Sequence, residues 1–324
     1  MVDHRITRSP DMHIVFCGTP QFAVPTLEEL LRAGLNVRLV VTQPDRPRGR
    51  GLQPAPSAIK QVALERGLPI TQPDRIRNNL EFRAQLEQIR PEAIVVVAYG
   101  RILPDWMLDL PPLGNINLHA SLLPKYRGAA PIQWAIARGE TITGVTTMRI
   151  DIGLDTGDIL LQRELAIAPQ DTAETLAPRL AVLGAPLMVE TLRGLKAGTI
   201  RPVPQDNTKA TLAPIIKRED GLIDFTRPAA EIANRWRGFQ PWPGVFTTFR
   251  GKNLHLRQLA ALPPGPNALA PAEIKVEGEH LYAGCGGNTR LNILEVQPEG
   301  KKRMSARDFI NGYKPKTGEK FGNL

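Results

Sequence analysis

Asn117, His119 and Asp155 are the side chains in this 324-residue chain whose types and spacing bear most directly on chemistry. The run Asn115-Ile116-Asn117-Leu118-His119 alternates polar and apolar residues. In an extended strand residues two apart share a face, so Asn117 and His119 project together while Ile116 and Leu118 face the other way. An amide with two N–H donors thereby shares a small space with an imidazole, a pairing suited to hydrogen-bond donation and proton transfer. Such residues also serve packing and structural hydrogen bonds, and local spacing leaves both readings open. Asp155 sits in Asp151-Ile152-Gly153-Leu154-Asp155-Thr156-Gly157-Asp158, where three carboxylates and two glycines occupy eight residues. The ligand spacing and closing Glu of a calcium loop are missing, so a tight loop carrying one working Asp is the economical reading; Asp151 and Asp158 suit turn formation.

The elements that must position these residues follow from periodicity. Met12 to Cys17 reads as a strand ending in Gly18-Thr19-Pro20, Phe22 to Ala33 as a helix stopped by Gly34, and Val37 to Thr42 as the next strand. This βαβ opening predicts a mostly parallel, Rossmann-like α/β sheet. Gly18-Thr19-Pro20-Gln21-Phe22 lacks the glycine fingerprint of dinucleotide binding, which argues against NAD. Helices are expected over 57–66, with Ser57 as cap, and over 79–90. Ala93 to Ala98 is β-branched and unalternating, the pattern of a central strand covered on both faces, and Tyr99-Gly100 closes it at the edge where α/β sheets meet ligands. After His119, the residues Ser121, Pro124, Gly128 and Pro131 predict an ordered loop and then a helix opening near Pro131. Strands over 143–150 and 159–167 flank the Asp155 loop, and a long amphipathic helix follows over 172–196, kinked at Pro178 if that residue is internal.

A net charge of +9 favours an acidic partner such as nucleic acid, and its distribution is uneven: residues 207–324 carry 18 Lys and Arg against 11 Asp and Glu. Gln43 to Pro56 sets Arg46, Arg48 and Arg50 among four prolines and two glycines, an exposed basic loop that is either solvated or a phosphate-contacting arm. Pro202 to Asn207 has the composition of a linker. Beyond it, short apolar runs separated by Gly/Pro turns predict a small basic β-barrel or curled sheet, ending in a tail rich in Lys and Arg. The expected division is residues 12–201 as one domain, 202–216 as a linker and 217–324 as a second domain. Cys17 and Cys285 have no Cys/His partners at metal or disulfide spacing, and the five histidines are scattered, so no metal site is expected. The longest strongly apolar run, Ala93 to Tyr99, falls short of the ~20 residues of a membrane span, and the first eleven residues lack an apolar signal core. A cytoplasmic monomer without a membrane partner is the expectation.

Taken together, Asn117-x-His119 with Ser121-Leu122-Leu123-Pro124, the Arg127-Gly128-Ala129-Ala130-Pro131 continuation, and Gly153-Leu154-Asp155-Thr156-Gly157-Asp158 resemble the signature of the folate-dependent formyltransferases. Gly18-Thr19-Pro20, Thr42-Gln43-Pro44-Asp45-Arg46-Pro47, Pro241-Trp242-Pro243 and Gly300-Lys301-Lys302-Arg303-Met304-Ser305-Ala306 are similar to the branch that acts on methionyl-tRNA. Departures are small: Ala120 stands where many relatives have Gly, Gln240 where Asn is frequent, and residues 1–11 are an extension. The resemblance implies 10-formyltetrahydrofolate as formyl donor and the α-amino group of initiator methionyl-tRNA as acceptor. It implies Asn117, His119 and Asp155 as catalytic residues, with Asn117 at the oxyanion, His119 in proton transfer and Asp155 orienting the imidazole. Ser121, Leu122, Leu123 and Pro124 would shape the folate pocket, with Ser121 no nucleophile, because an amine attacks without an acyl-enzyme. Arg46, Arg48, Arg50, Lys301, Lys302 and Arg303 would contact tRNA. A formyltransferase for an amino sugar or nucleotide amine, and an inert RNA-binding relative, are the alternatives.

Overall fold

The computed structural model describes residues 12–48, 53–265 and 268–322. They fall into two compact units: one holds the described residues up to Gly128, Thr143–Leu165 and Ala177–Leu212, and the other holds Ala129–Ile142, Ala166–Leu176 and those from Ala213 onward.

The first unit begins with β1 (His13–Gly18), α1 (Val24–Arg32) and β2 (Asn36–Val41). The basic stretch follows as β3 (Arg46–Arg48) and β4 (Gln53–Ala55), then α2 (Ala58–Glu65), β5 (Ile70–Thr71), α3 (Leu80–Ile89), β6 (Ala93–Val97), α4 (Asp105–Leu108) and β7 (Asn115–His119). After α5 (Pro131–Ala137), which belongs to the second unit, come β8 (Ile142–Arg149), β9 (Ile159–Ala166) and α6 (Ala173–Ala197). Seven strands form one sheet in the order β5-β2-β1-β6-β7-β8-β9. Neighbouring strands from β5 to β7 pair in parallel, and β8 runs antiparallel to β7, the mostly parallel sheet that the βαβ opening predicts. All five residues of β6 are buried, as its unbroken apolar run requires of a central strand.

Ser57 caps α2 by accepting from the Lys60 amide at 3.1 Å, and Asn79 caps α3 by accepting from the Phe82 amide at 2.9 Å. The apolar face of β7 lies against α6: a Cβ added at Gly184 would sit 2.5 Å from Leu118, so only glycine lets helix and strand approach this closely. Helix α6 keeps Pro178 inside its 25 residues, and Pro186 as well. By length and composition α6 could cross a membrane, which the search for short apolar runs overlooked; 56% of its most apolar window is buried within the fold.

The basic segment expected as an irregular loop is a two-stranded antiparallel ladder instead, with Arg46 opposite Ala55 and Arg48 opposite Gln53. Asp45 anchors its base, accepting from Lys60 at 2.6 Å and Gln72 at 2.8 Å. Composition suggested an exposed loop there, but an extended proline needs no hydrogen-bond donor on an edge strand.

The second unit packs α5 against α7 (Ala229–Gly238). Gly238 makes this possible, because a Cβ there would lie 2.5 Å from the Gln133 carbonyl oxygen. Trp134 meets Phe239 edge to face at 5.4 Å, and the Arg235 guanidinium lies over both rings. The sheet of this unit is antiparallel, in the order β10 (Val245–Phe249), β11 (Lys252–Leu262), β14 (Arg290–Pro298), β13 (His280–Gly284), β12 (Ile274–Glu277), with β15 (Met304–Ser305) beside β14. Among the described residues β10 and β12 do not pair, so the path stays open where a barrel was expected. The basic tail hides an element that charge counting missed. Helix α8 (Ala306–Tyr313), capped by Ser305, buries Phe309 against Phe249, and Phe321 packs on Phe249 and Phe225. Both cysteines are free and buried, and burial pushes the Cys285 thiol up to about 12, so neither offers a reactive thiolate.

Candidate active site

Because β1, β6 and β7 run parallel, with Gly18 beside Val97 and Val96 beside Asn117, their carboxyl ends share one edge of the sheet. Strand order turns at β1, which lies between β2 and β6, so the edge includes a switch point where α/β sheets bind ligands. Gln43 ties the loops there: its Nε2 donates to the Tyr99 carbonyl at 2.8 Å, and its backbone N–H donates to Thr19 Oγ1 at 3.4 Å.

Asn115, Asn117 and His119 share a face of β7, as alternation predicts, yet their surroundings differ. Asn115 serves structure through its Nδ2, which donates to the Met107 and Leu108 carbonyls at 2.9 and 3.0 Å. Asn117 is half-buried, and among the described residues its amide has no hydrogen-bond partner. His119, 6% exposed, donates from Nε2 to the Tyr126 carbonyl at 2.9 Å. A carbonyl only accepts, so the neutral ring carries its proton on Nε2 and keeps a lone pair on Nδ1. That nitrogen lies 3.7 Å from Asp155 Oδ2, which is close enough for charge attraction once the ring is protonated and too long for a direct hydrogen bond. The ring is thus held by Tyr126, whereas the resemblance implied that Asp155 orients it.

Asp155 adopts the left-handed backbone at φ +51°. Its Oδ2 accepts the Gly128 N–H at 2.7 Å, which joins the Asp155 loop to the Arg127-Gly128 segment. Gln205 Nε2 donates to the carbonyls of Asp155 and Gly157 at 2.9 and 2.7 Å, while its Oε1 accepts from Arg127 Nε and Nη2 at 3.0 and 2.8 Å. Asp151 works as the turn former expected, accepting from Gly153 N–H at 3.0 Å and from the Thr156 hydroxyl.

Residues Ser121 to Pro124 follow β7 and are fastened to β8 by one hydroxyl. Thr146 Oγ1, fully buried, donates to the Ser121 carbonyl at 2.6 Å and accepts from Leu123 N–H at 3.1 Å and Gln162 Nε2 at 2.9 Å. Ser121 Oγ donates to the Lys125 carbonyl at 2.6 Å, a structural bond. The Leu123-Pro124 peptide is cis. Sequence reasoning missed Thr146, whose only signal was a hydroxyl inside an otherwise buried strand, and nothing local marks the Tyr126 carbonyl. Among the described residues no three His, Cys, Asp or Glu side chains converge to hold a metal ion.

A family model described as formyl transferase matches residues 12–192, and one described as formyl transferase, C-terminal domain, matches 215–314. A methionyl-tRNA formyltransferase of Koribacter versatilis is 64% identical over 97% of this chain and 99% of that protein. The chain belongs to the formyltransferase family, in its methionyl-tRNA branch. Its counterpart in Acidobacterium capsulatum is 63% identical over 93% of this chain and 96% of that one. An N-formyltransferase from Helicobacter canadensis, solved with folinic acid and dTDP-3-aminofucose, shares the fold at TM-score 0.64 and 20% identity, over 89% of this chain and 99% of that one.

The cations that this formyltransferase was expected to turn toward tRNA lie in both units. Arg46 is exposed, with its guanidinium donating to Gln43 Oε1 at 2.9 Å. Arg48 has its backbone in β3, and Arg50 lies outside the described residues. Lys301, Lys302 and Arg303 are exposed in the turn between β14 and β15, where Arg303 pairs with Glu295.

Proposed function

We propose that this chain transfers the formyl group of 10-formyltetrahydrofolate to the α-amino group of methionyl initiator tRNA in translation initiation. The observation that carries the reading is the juxtaposition of an unpartnered Asn117 amide with a His119 ring whose Nδ1 is open, in a chain 64% identical to a methionyl-tRNA formyltransferase. Catalysis is acyl transfer to an amine. The amine lone pair attacks the formyl carbon, and the carbonyl π electrons move onto oxygen. Asn117 Nδ2 donates to that oxyanion, a preorganised contact worth about 3–4 kcal/mol in related sites. His119 Nδ1 takes the proton released by the attacking amine, and the resulting imidazolium sits 3.7 Å from the Asp155 carboxylate, which favours it. Collapse of the intermediate breaks the bond to the folate nitrogen, which leaves with a proton returned from His119. Ser121 to Pro124 shape the donor's pocket, and exposed Ile102, Ile152 and Leu154 supply apolar surface suited to a pterin ring.

Residues 12–201 carry this chemistry and residues 217–324 carry tRNA affinity, the latter on an OB-like curled sheet. Arg46, Arg48, Arg50, Lys301, Lys302 and Arg303 contact phosphates. His119, Asn117 and Asp155 all come from one chain, so a monomer suffices, working in the cytoplasm where translation starts. The test is formylation of charged initiator tRNA, with elongator methionyl-tRNA and a nucleotide-linked amino sugar as parallel acceptors. Initiator tRNA is expected to react by far the fastest. Preference for the amino sugar, or no formylation of any acceptor, would reject the proposal.

A further inference from the structure

Asp155 holds a left-handed backbone conformation at φ +51°, which is strained for a non-glycine residue and is held by the structure around it. That support comes from Gln205, in the proline-rich segment whose composition reads as a linker. The segment is tied into the first unit: Val203 and Ile159 exchange both backbone hydrogen bonds at 2.9 Å. The orientation of the Gln205 amide is fixed by its partners, because a guanidinium only donates and carbonyls only accept. Its Oε1 therefore faces Arg127, and its Nε2 bridges the carbonyls on either side of Thr156. Arg127, 7% exposed, is held in turn by Asn207 Oδ1 at 2.8 Å and by its own N–H on the Thr211 carbonyl at 2.8 Å. Thr211 Oγ1 also accepts the N–H of Tyr126, whose carbonyl orients His119. The stretch 205–211 thus grips both groups that face the imidazole.

We propose that Gln205 is a positioning residue for formyl transfer: it clamps the Asp155 loop to Arg127 and so sets where the Asp155 carboxylate stands relative to His119 Nδ1. It touches neither substrate and acts only through Asp155. This rests on the roles given above to His119 and Asp155.

Gln205→Glu separates the two halves of the clamp. The carboxylate keeps the Arg127 bonds as an ion pair, and its second oxygen repels the carbonyls of Asp155 and Gly157. The full-length protein is assayed for kcat, for both KM values and for Tm, alone and with Asp155→Asn. In Gln205→Glu, kcat is expected to fall about ten- to a hundredfold, the loss that follows a displacement of about 1 Å, while both KM values stay within about twofold. Added to Asp155→Asn, the same change should cost nothing further, because a group that acts only through another has no effect once that other is gone. Should Gln205→Glu fail to fold, uncharged Gln205→Met carries the same comparison. An unchanged kcat, a loss that appears only in KM, or a loss that multiplies with Asp155→Asn would each overturn the proposal. A wild-type protein that formylates no tRNA would reject the function itself and is read in the same assay.

Discussion

At His119 the two ring nitrogens differ: Nε2 is committed to the Tyr126 carbonyl, and Nδ1 is the atom to which the proposed mechanism assigns proton exchange. Asn117 makes no structural bond among the described residues, so its removal should spare the fold and strike the reaction. Asn117→Ala is expected to lower kcat by about 10²–10³ with Tm nearly unchanged, as read by single-turnover formylation and thermal unfolding. Near-normal turnover would remove Asn117 from the oxyanion site. His255 offers a contrast, a histidine whose titration bears on stability. Burial, then the charges of Arg257 and Arg218, lower its pKa below the ordinary 6.5, and its Nδ1 is buried without a partner among the described residues. The unfolded chain then binds this proton first, so stability present above pH 6.5 is lost as pH falls through and below that value. Tm should therefore drop less between about pH 7.5 and about pH 5.5 in His255→Gln than in the wild type. Parallel curves would refute this.

Among the elements, β8 does more than extend the sheet. Its Thr146 stands opposite His119 in the ladder and fastens the Ser121 to Pro124 loop with two hydrogen bonds. Thr146→Val keeps the shape and strands the Leu123 N–H in a buried place, at a cost of about 1–3 kcal/mol. The expected signature is a lower Tm with KM for the formyl donor raised severalfold and KM for tRNA held. A donor KM that stays fixed would sever this link between strand and loop. The elements themselves were largely legible: Ser57 caps a helix where capping chemistry places it, and the helix expected over 79–90 forms with Asn79 as its cap. Helix α8 was not, because the lysines and arginines of the surrounding tail mask the spacing of Ala306 and Phe309. Nor was the ladder of β3 and β4, because prolines on a short edge strand give the same local signal as an irregular loop.

For the molecule as a whole, chain order and unit membership differ. Ala129–Ile142 belongs with the residues from Ala213 onward, and α5 packs on α7. A fragment ending at residue 206 leaves α5 without that partner and Arg127 without Asn207 and Thr211. It is expected to aggregate where the full chain stays soluble, as size-exclusion chromatography would report; a stable monomeric fragment would contradict this. The sequence alone determined the parallel sheet, the shared face of Asn117 and His119 and the basic bias of the last third, since each of these is written in local spacing or in charge; the donor and acceptor came from the resemblance its motifs carry. Only the tertiary structure decided which nitrogen of His119 is open, how far Asp155 stands from it, and that Gln205 bonds the Asp155 and Gly157 carbonyls from outside that loop. Those facts are meetings between β7 and segments outside it, or between two such segments as with Gln205 and Asp155, and alternation within one strand carries no information about what another segment brings to it.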